Sequence, residues 1–376
     1  MTRTELQQLA VYSSTPNVPL PAGQVAYAPM FAWLLIPFAL LPARAGFAVW
    51  TGINFLAALS LAWRAAQFFP ARQRLWVIAA IMTSLGVVDG LLFGEVGILL
   101  GCAAGEAYLC FRDERDVRAG LWISVLLIKP IYGLLVGPLL IWKRRWGAVA
   151  GAAAGSLVIG GLSLLVAGPS GLLGYPNALG AQANFDGAKL VNPQAMINWR
   201  GAIVRLLPNI DARIGLALTV GLGAATVAAA AWGCRGPWRP RTPGFARQMA
   251  LLWIATLIVN YHSHIHGIPL LILPLAELIA VDRSTKAGIS GIGLVFLPTL
   301  VFLATLNNAW TAWAMTACML TLFGVLLWQL RDSAIGHRTG ACIPRCASAG
   351  FGTPVTLSEA GTAHSSAVHL AVITDR

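Results

Sequence analysis

One lysine stands in the middle of an apolar stretch that is long enough to enter a bilayer. The stretch runs from Leu121 to Trp146, with Lys129 and Pro130 near its centre. A lysine near the centre of a bilayer costs about 2.5–3.5 kcal/mol on insertion scales, so such a charge normally faces a watery cavity or a partner. The sequence therefore predicts that Lys129 carries chemistry in a polar pocket.

Pro130 predicts that the helix breaks at this lysine, because proline lacks a backbone N–H and disfavours helix at the residue before it. Non-helical backbone at membrane depth is tolerated only where protein buries it or a cavity lines it. We expect a hairpin with two short helical arms, Ala119–Ile128 and Ile131–Trp142, and with Lys129 at its tip. The alternative is a proline kink whose lysine snorkels to the membrane interface.

Three histidines alternate after a later apolar segment, at His262, His264 and His266. In one interpretation a histidine contacts a phosphate or a sugar hydroxyl, because imidazole titrates near neutral pH. In a second, the segment is only a polar turn between helices. In a third, extended imidazoles bind zinc or copper. No carboxylate or cysteine stands nearby in the sequence, so we expect no metal.

Other polar residues are candidates for the same chemistry. Arg200 and Arg205 stand in the long polar segment 168–210, and they are either phosphate ligands or solvated loop residues. Glu95 is either a general base or an acid that favours the start of a helix. Asp89 lies in the same region, but two carboxylates do not suffice to predict a glycosidase-type pair.

Membrane helices must position these residues. Of the 376 residues, 57% are hydrophobic and only 11% are charged, whereas a soluble protein has about 25% charged residues. The net charge of +12 lies mostly in short loops between apolar segments, a pattern that fixes membrane topology and does not indicate a nucleic-acid partner. We predict an all-α, polytopic transmembrane bundle of about ten or eleven segments, surrounded by membrane lipids.

Composition divides the chain into three regions. They are a polar arm at 1–25, a transmembrane domain at 26–330 with its outer loop at 168–210, and a tail at 331–376 that we expect to be disordered. Placing the basic loops in the cytosol puts Lys129, the histidines and the outer loop on the opposite face. This rule predicts a bacterial-type inner membrane protein with an extracytoplasmic active face, and it leaves the direction of segment 26–42 open.

Several local patterns, taken in order, resemble glycosyltransferase family 87, the polyprenyl-phosphate-mannose-dependent mannosyltransferases and their bacterial relatives. The patterns are Tyr27-Ala28-Pro29 with Pro37 and Pro42, Gly94-Glu95, Lys129-Pro130-Ile131-Tyr132 followed by Lys143–Trp146, Met196–Gly201, and Tyr261-His262-Ser263-His264 with Pro269 and Pro274. The resemblance covers approximately Val25 to Leu330.

The resemblance implies a GT-C fold and an inverting transfer of a hexose, mannose-like, without metal or cofactor. The donor would be a polyprenyl phosphate sugar, and the acceptor a lipid or glycan on the extracytoplasmic side. Lys129, Arg200 and His264 would bind the donor phosphate. The substrate pocket is assigned to four residues: Tyr27, Tyr132, Asn198 and His262.

The N-terminal region departs from the family's pattern. Family members begin with a spanning helix and an outer loop whose aspartate serves as base, whereas Glu5 is the only acid in Met1 to Ala26. We expect either a true start upstream or an incomplete, inactive member, with Glu95 as a substitute base in an active one. A relative that only binds polyprenyl phosphate and a transporter or lipid-carrier flippase are the competing classes, since transporters also place broken helices and charges at the midplane.

Overall fold

A computed structural model describes residues 27–183, 195–282 and 285–336. The predicted arm at 1–25 and the tail beyond residue 336 lie outside the described residues. The described helices are α1 Met30–Ala39, α2 Ala43–Ala66, α3 Ala71–Met82, α4 Leu85–Phe93, α5 Gly97–Arg112, α6 Asp116–Val125, α7 Val136–Trp142, α8 Trp146–Ala183, α9 Trp199–Leu206, α10 Ala212–Gly233, α11 Pro243–Val259, α12 Ile272–Asp282, α13 Lys286–Thr305 and α14 Asn308–Gly336.

The predicted all-α, polytopic bundle is confirmed. Among the described residues, five helices are long and apolar enough to cross a membrane: α2, α8 as far as Pro176, α10, α13, and α14 as far as Arg331. Helices α3 and α4 form a sixth candidate span that is bent by 48°. These six candidate spans reach the predicted total of about ten or eleven segments only together with four shorter apolar helical segments.

The basic loops meet at one end of the bundle. Arg145 Nη2 lies 2.6 Å from Asp116 Oδ1, and Arg241 Nη2 lies 3.1 Å from Asp113 Oδ1. Lys143 donates to the carbonyl of Gly236 in the same region. We call this set of residues the basic end. Helices α5 and α11 both run from this end to the segments that carry Glu95 and Asn260, so the candidate residues lie at the opposite end.

The chain breaks at Lys129, as the proline predicts. Helix α6 gives way to a 3-10 turn, Leu126–Ile128, and a second turn, Pro130–Tyr132, precedes α7. Lys129 lies between the turns with φ −129° and ψ 81°, outside the helical region. Both arms therefore begin or end near the basic end, and the lysine is carried at the tip of a hairpin.

The predicted outer loop, 168–210, is partly helical. Gly168 adopts φ +67° and ψ 175°, which breaks α8 where we predicted that the span would end. Helix then continues to Ala183, and Pro169 fits its first turn because the N–H that it lacks has no helical partner there. Residues 184–194, which include Asp186, Lys189 and Asn192, lie outside the described residues.

Glycines let α6 and α8 pack backbone to backbone. A Cβ on Gly120 would collide with the carbonyl oxygen of Ala148, and one on Gly151 would collide with that of Val117. Small residues allow this approach between membrane helices, where lipid offers no hydrophobic driving force. The close packing fixes one arm of the lysine hairpin against a long spanning helix.

Helix α11 lies at the centre of the bundle. Its side chains from Phe245 to Ile258 are almost all buried, and Trp253 is fully enclosed. On a neighbouring face, Tyr108 of α5 donates to the buried Glu277 of α12, and Arg112 Nε lies 3.3 Å from the same carboxylate. A buried charge needs such partners, and these contacts hold α5 and α12 together.

Candidate active site

Lys129 is buried between two aromatic rings. Lys129 is 2% exposed. Its ammonium lies 5.5 Å from the ring centroids of both Tyr27 and Tyr132. A cation over an aromatic face is stabilised by about 0.5–2 kcal/mol. The backbone N–H of Ala28 donates to the carbonyl of Ile128 at 2.8 Å, so the tip of the hairpin holds Tyr27 beside the lysine.

Glu95 supplies the negative charge of the site. It follows Gly94, whose φ of +65° suits a glycine, and Tyr27 donates to its Oε2 at 2.8 Å. Burial alone would raise the pKa of Glu95, but the charges of His266 and Lys129 and the Tyr27 hydrogen bond lower it to about 2. The carboxylate is therefore ionised at neutral pH and is the counter-charge of Lys129.

The rings of the three histidines contact one another in sequence along one short turn. The rings of His262 and His264 are 4.9 Å apart at a steep angle, and those of His264 and His266 are 5.5 Å apart and nearly parallel. Loss of water and the charges of His266 and Lys129 lower the pKa of His264 to about 3. Its imidazole is therefore neutral at physiological pH and can donate one hydrogen bond and accept another.

His266 lies between two carboxylates. Its Nδ1 is 3.4 Å from Asp89 Oδ2 of α4, and its Nε2 is 3.7 Å from Glu95 Oε2. The residue sits in the 3-10 turn Ile265–Leu271, and its carbonyl oxygen occupies the space that a Cβ on Gly97 would need. Sequence reasoning did not predict this contact, because it depends on how that turn packs against α4 and α5.

The segment before α9 joins the histidine turn from another side. Asn198 caps α9 by accepting from Gly201 N at 2.8 Å, and its Nδ2 donates to the carbonyl of Asn260 at 2.6 Å. Arg200 is 1% exposed, with Nη1 3.4 Å from the carbonyl of Tyr261. A guanidinium in this position is not a solvated loop residue.

Arg205 lies beneath this segment. Its Nη1 donates to the carbonyl of Met196 at 2.5 Å, and its guanidinium lies 4.7 Å from the ring centroid of Trp313. These contacts connect α9 to α14 and indicate that Arg205 supports the segment that carries Asn198 and Arg200.

The sequence of this chain matches one known protein family. The model of glycosyltransferase family 87 matches residues 26–260, more than half of the chain. The chain belongs to glycosyltransferase family 87. No curated protein and no solved structure is similar enough to the chain to count as a match.

Membership in family 87 makes the chain a membrane glycosyltransferase and does not favour the transporter or flippase alternative. The matched residues include Tyr27, Glu95 and Lys129 of the candidate site. The match ends at residue 260, so the histidine turn, which the sequence resemblance included, lies just beyond it. In the structure this turn nevertheless closes the same site.

Most of the predicted site residues of this family 87 chain come together. Lys129, Tyr27, Tyr132 and Glu95 are in contact, and the charges of Lys129 and Glu95 both act on His264. The ring of His262 meets that of His264 edge to face. Asn198 and Arg200 reach the segment just before that turn through Asn260 and Tyr261. Within the ranges that the structure describes, no group of three or more His, Cys, Asp or Glu side chains is arranged to hold a metal ion.

The site also contains buried polar atoms that lack partners, and two of them belong to residues that the sequence did not single out, Ser263 and Asn260. Among the described residues, Tyr132 Oη, Ser263 Oγ, Asn260 Nδ2 and His262 Nδ1 are buried and have no hydrogen-bond partner. An unmet buried polar atom costs about 1–3 kcal/mol. Ser263 stands between two histidines in the sequence, and Asn260 stands two residues before the first of them. This closeness to the histidines is the sequence signal that points to Ser263 and Asn260. These atoms can be satisfied by the hydroxyls of a sugar.

Proposed function

We propose that this glycosyltransferase transfers a hexose, mannose-like, from a polyprenyl phosphate donor to a hydroxyl of a lipid or glycan on the extracytoplasmic face of a bacterial-type plasma membrane, and that its bundle is of the GT-C type. The observation that carries the proposal is the buried ammonium of Lys129. It is held at a hairpin tip beside Glu95 and the histidine turn, at the end of the bundle opposite the basic loops.

The choice of donor follows from where the positive charge lies. Lys129 and Arg200 are both buried, and the charges of both act on His262. Lysine binds phosphate as a point charge and arginine through two parallel N–H groups. A phosphate delivered by an isoprenoid chain reaches this depth from the bilayer, because its tail remains in lipid while its head enters the polar site.

The side of the membrane follows from the charges at the two ends. The basic end carries the loops with Arg112–Arg118, Lys143–Arg145 and Arg235–Arg247, and loops rich in lysine and arginine remain in the cytosol. Helix α5, with 16 residues, separates that end from Glu95 by about 24 Å at 1.5 Å per residue. This separation supports an extracytoplasmic site.

The reaction breaks the bond between C1 of the sugar and the phosphate oxygen, and forms a bond from C1 to the acceptor oxygen. Lys129, Arg200 and His264 stabilise the negative charge that develops on the leaving phosphate. Glu95, ionised and 2.8 Å from the Tyr27 hydroxyl oxygen, accepts the acceptor's proton as general base. Tyr132, Asn198, His262 and Tyr27 line the sugar side, where Tyr132 Oη and His262 Nδ1 lack partners among the described residues.

The experiment supplies the purified chain in liposomes with two radiolabelled mannose donors, one on polyprenyl phosphate and one on a nucleoside diphosphate. We expect label in a lipid or glycan acceptor only with the polyprenyl phosphate donor. Transfer from the nucleotide sugar alone would refute the proposed donor. A transporter would instead move a labelled solute across the liposome membrane and leave the label on the donor.

A further inference from the structure

Asp89, His266 and Glu95 form a line of three titratable side chains from three different segments. Asp89 comes from α4, His266 from the 3-10 turn and Glu95 from the link between α4 and α5. The two imidazole nitrogens lie 3.4 Å and 3.7 Å from the carboxylate oxygens. The side chains are 21%, 9% and 17% exposed respectively, so water only partly replaces these contacts.

We propose that His266 relays the acceptor's proton away from Glu95, and that Asp89 is a positioning residue that holds the imidazole of His266 in place. The inference rests on the proposed function, in which Glu95 receives that proton. It adds two residues, Asp89 and His266, to the proposed reaction, and it gives the proton on Glu95 a group that accepts it.

The proton that Glu95 receives must leave it again, and His266 offers a path. When the acceptor oxygen bonds to C1, its O–H bond breaks and the proton passes to Glu95 Oε2, while the electron pair of the C1–O bond leaves on the phosphate. Glu95 must then lose the proton before the next turnover. Nε2 of His266 lies 3.7 Å from Oε2, and among the described residues it has no hydrogen-bond partner. The proton moves from Oε2 to Nε2, and the imidazolium releases it to water when the product leaves.

The surrounding charges support this direction of transfer. Asp89 and Glu95 face the ring of His266 from its two nitrogens, so a carboxylate lies beside each of them. His264 stacks on the same ring and is neutral near pH 7, so it opposes a charge on His266 only weakly. The charge of Lys129 also acts on Glu95, and Tyr27 donates a hydrogen bond to it. A bound phosphate compensates Lys129, which leaves Glu95 a stronger base when the donor is in place.

Backbone packing fixes the geometry. Gly97 lacks the Cβ that would collide with the carbonyl oxygen of His266, and Gly86 lacks the Cβ that would lie 2.8 Å from Ile268 Cβ. The 3-10 turn therefore sits directly against α4 and α5. This contact keeps the imidazole between its two carboxylates.

The experiment measures transfer by Asp89→Asn and His266→Ala, in the full chain in liposomes with the polyprenyl phosphate mannose donor. We expect Asp89→Asn to lower kcat by about tenfold, with little change in donor KM. This loss is smaller than the rate factor of about 10²–10⁴ that a general base itself supplies. Added imidazole should restore part of the activity of His266→Ala.

A purely structural role would also lower kcat, but exogenous imidazole does not repair a destabilised fold, so the rescue of His266→Ala separates the relay from a structural role. Asp113→Asn is the matched control, because Asp113 pairs with Arg241 at the exposed basic end and should leave transfer unchanged. Unchanged kcat in Asp89→Asn, or no imidazole rescue of a folded His266→Ala, would overturn the relay while the donor assignment stands. Failure of the wild-type chain to use the polyprenyl phosphate donor would overturn the proposed function itself, and the relay with it.

Discussion

Met196 and His264 pair with each other as an isolated antiparallel bridge. The hydrogen bond from Ile197 N to the carbonyl of Ser263, at 2.9 Å, continues the pairing by one residue. The segments around Met196 and His264 are short and lie far apart in the chain. Main-chain hydrogen bonds fix the register between them. The bridge therefore places Arg200 and His264, both proposed as phosphate ligands, in one rigid frame.

Asn198 should be a main anchor of that frame. Asn198→Ala removes the cap of α9 and leaves the Asn260 carbonyl, which is 2.6 Å from Asn198 Nδ2, without its donor. We expect a loss of about 1–3 kcal/mol of unfolding free energy and weaker donor binding, measured by thermal unfolding and by donor KM. Asp211→Ala is the control, because Asp211 caps the exposed start of α10. It should cost about 1 kcal/mol without changing KM, and an equal effect on KM in both variants would contradict the anchor.

Local chemistry predicted one part of the site, and tertiary packing determined the rest. A lysine before a proline in an apolar stretch has few physical solutions, so the hairpin and the burial of Lys129 could be read from the chain. The Asp89–His266 contact could not, because no local rule predicts that a 3-10 turn packs against Gly86 and Gly97. The Tyr27–Glu95 hydrogen bond likewise joins residues whose types allow many partners.

Gly97 should be intolerant of any side chain. Gly97→Ala places a Cβ against the carbonyl oxygen of His266, so either α5 or the 3-10 turn must shift. We expect a loss of about 1–3 kcal/mol of unfolding free energy and a fall in kcat as His266 leaves its carboxylates. Gly52→Ala is the control, because nothing lies within 4 Å of its Cβ position in α2. Helix propensity predicts that it stabilises the chain by up to about 1 kcal/mol, and the two variants are compared by thermal midpoint and by transfer rate.

Acid should destabilise the fold through His264. Its ring stays neutral in the folded chain down to a pKa of about 3, whereas an unfolded histidine becomes charged below about 6.5. Unfolding therefore takes up a proton, and stability is lost as the pH falls from 6.5 towards 3. Glu95 acts in the same direction only below about pH 4.5, because its pKa falls from 4.5 to about 2.

The measurement compares thermal midpoints of the wild type and His264→Asn between pH 7 and pH 4.5. We expect the variant to lose less of its midpoint over this window. Some slope should remain, because burial and neighbouring charges also hold the pKa of His262 well below its usual value. Parallel curves for the two proteins would show that His264 titrates normally in the fold.

Lys129 should be required for donor use rather than for folding, and two charges must be removed together to show this. Lys129→Met alone leaves Glu95 buried without its cation, and breaking a buried pair by removing one partner costs about 3–5 kcal/mol. Lost activity in that variant could therefore come from either cause. Lys129→Met combined with Glu95→Gln removes both charges, so we expect its thermal midpoint to recover towards that of the wild type.

Transfer by this double variant should stay at least about 10²–10³ below the wild type, the usual effect of losing a group that stabilises a developing negative charge. Equilibrium binding of polyprenyl phosphate separates the donor role from the loss of the Glu95 base, because Glu95→Gln alone should retain the lipid while both Lys129 variants release it. Lys286→Met is the matched control, since this exposed lysine at the start of α13 lies over Trp328, away from the site. A double variant that binds polyprenyl phosphate as tightly as Glu95→Gln would remove Lys129 from the donor site.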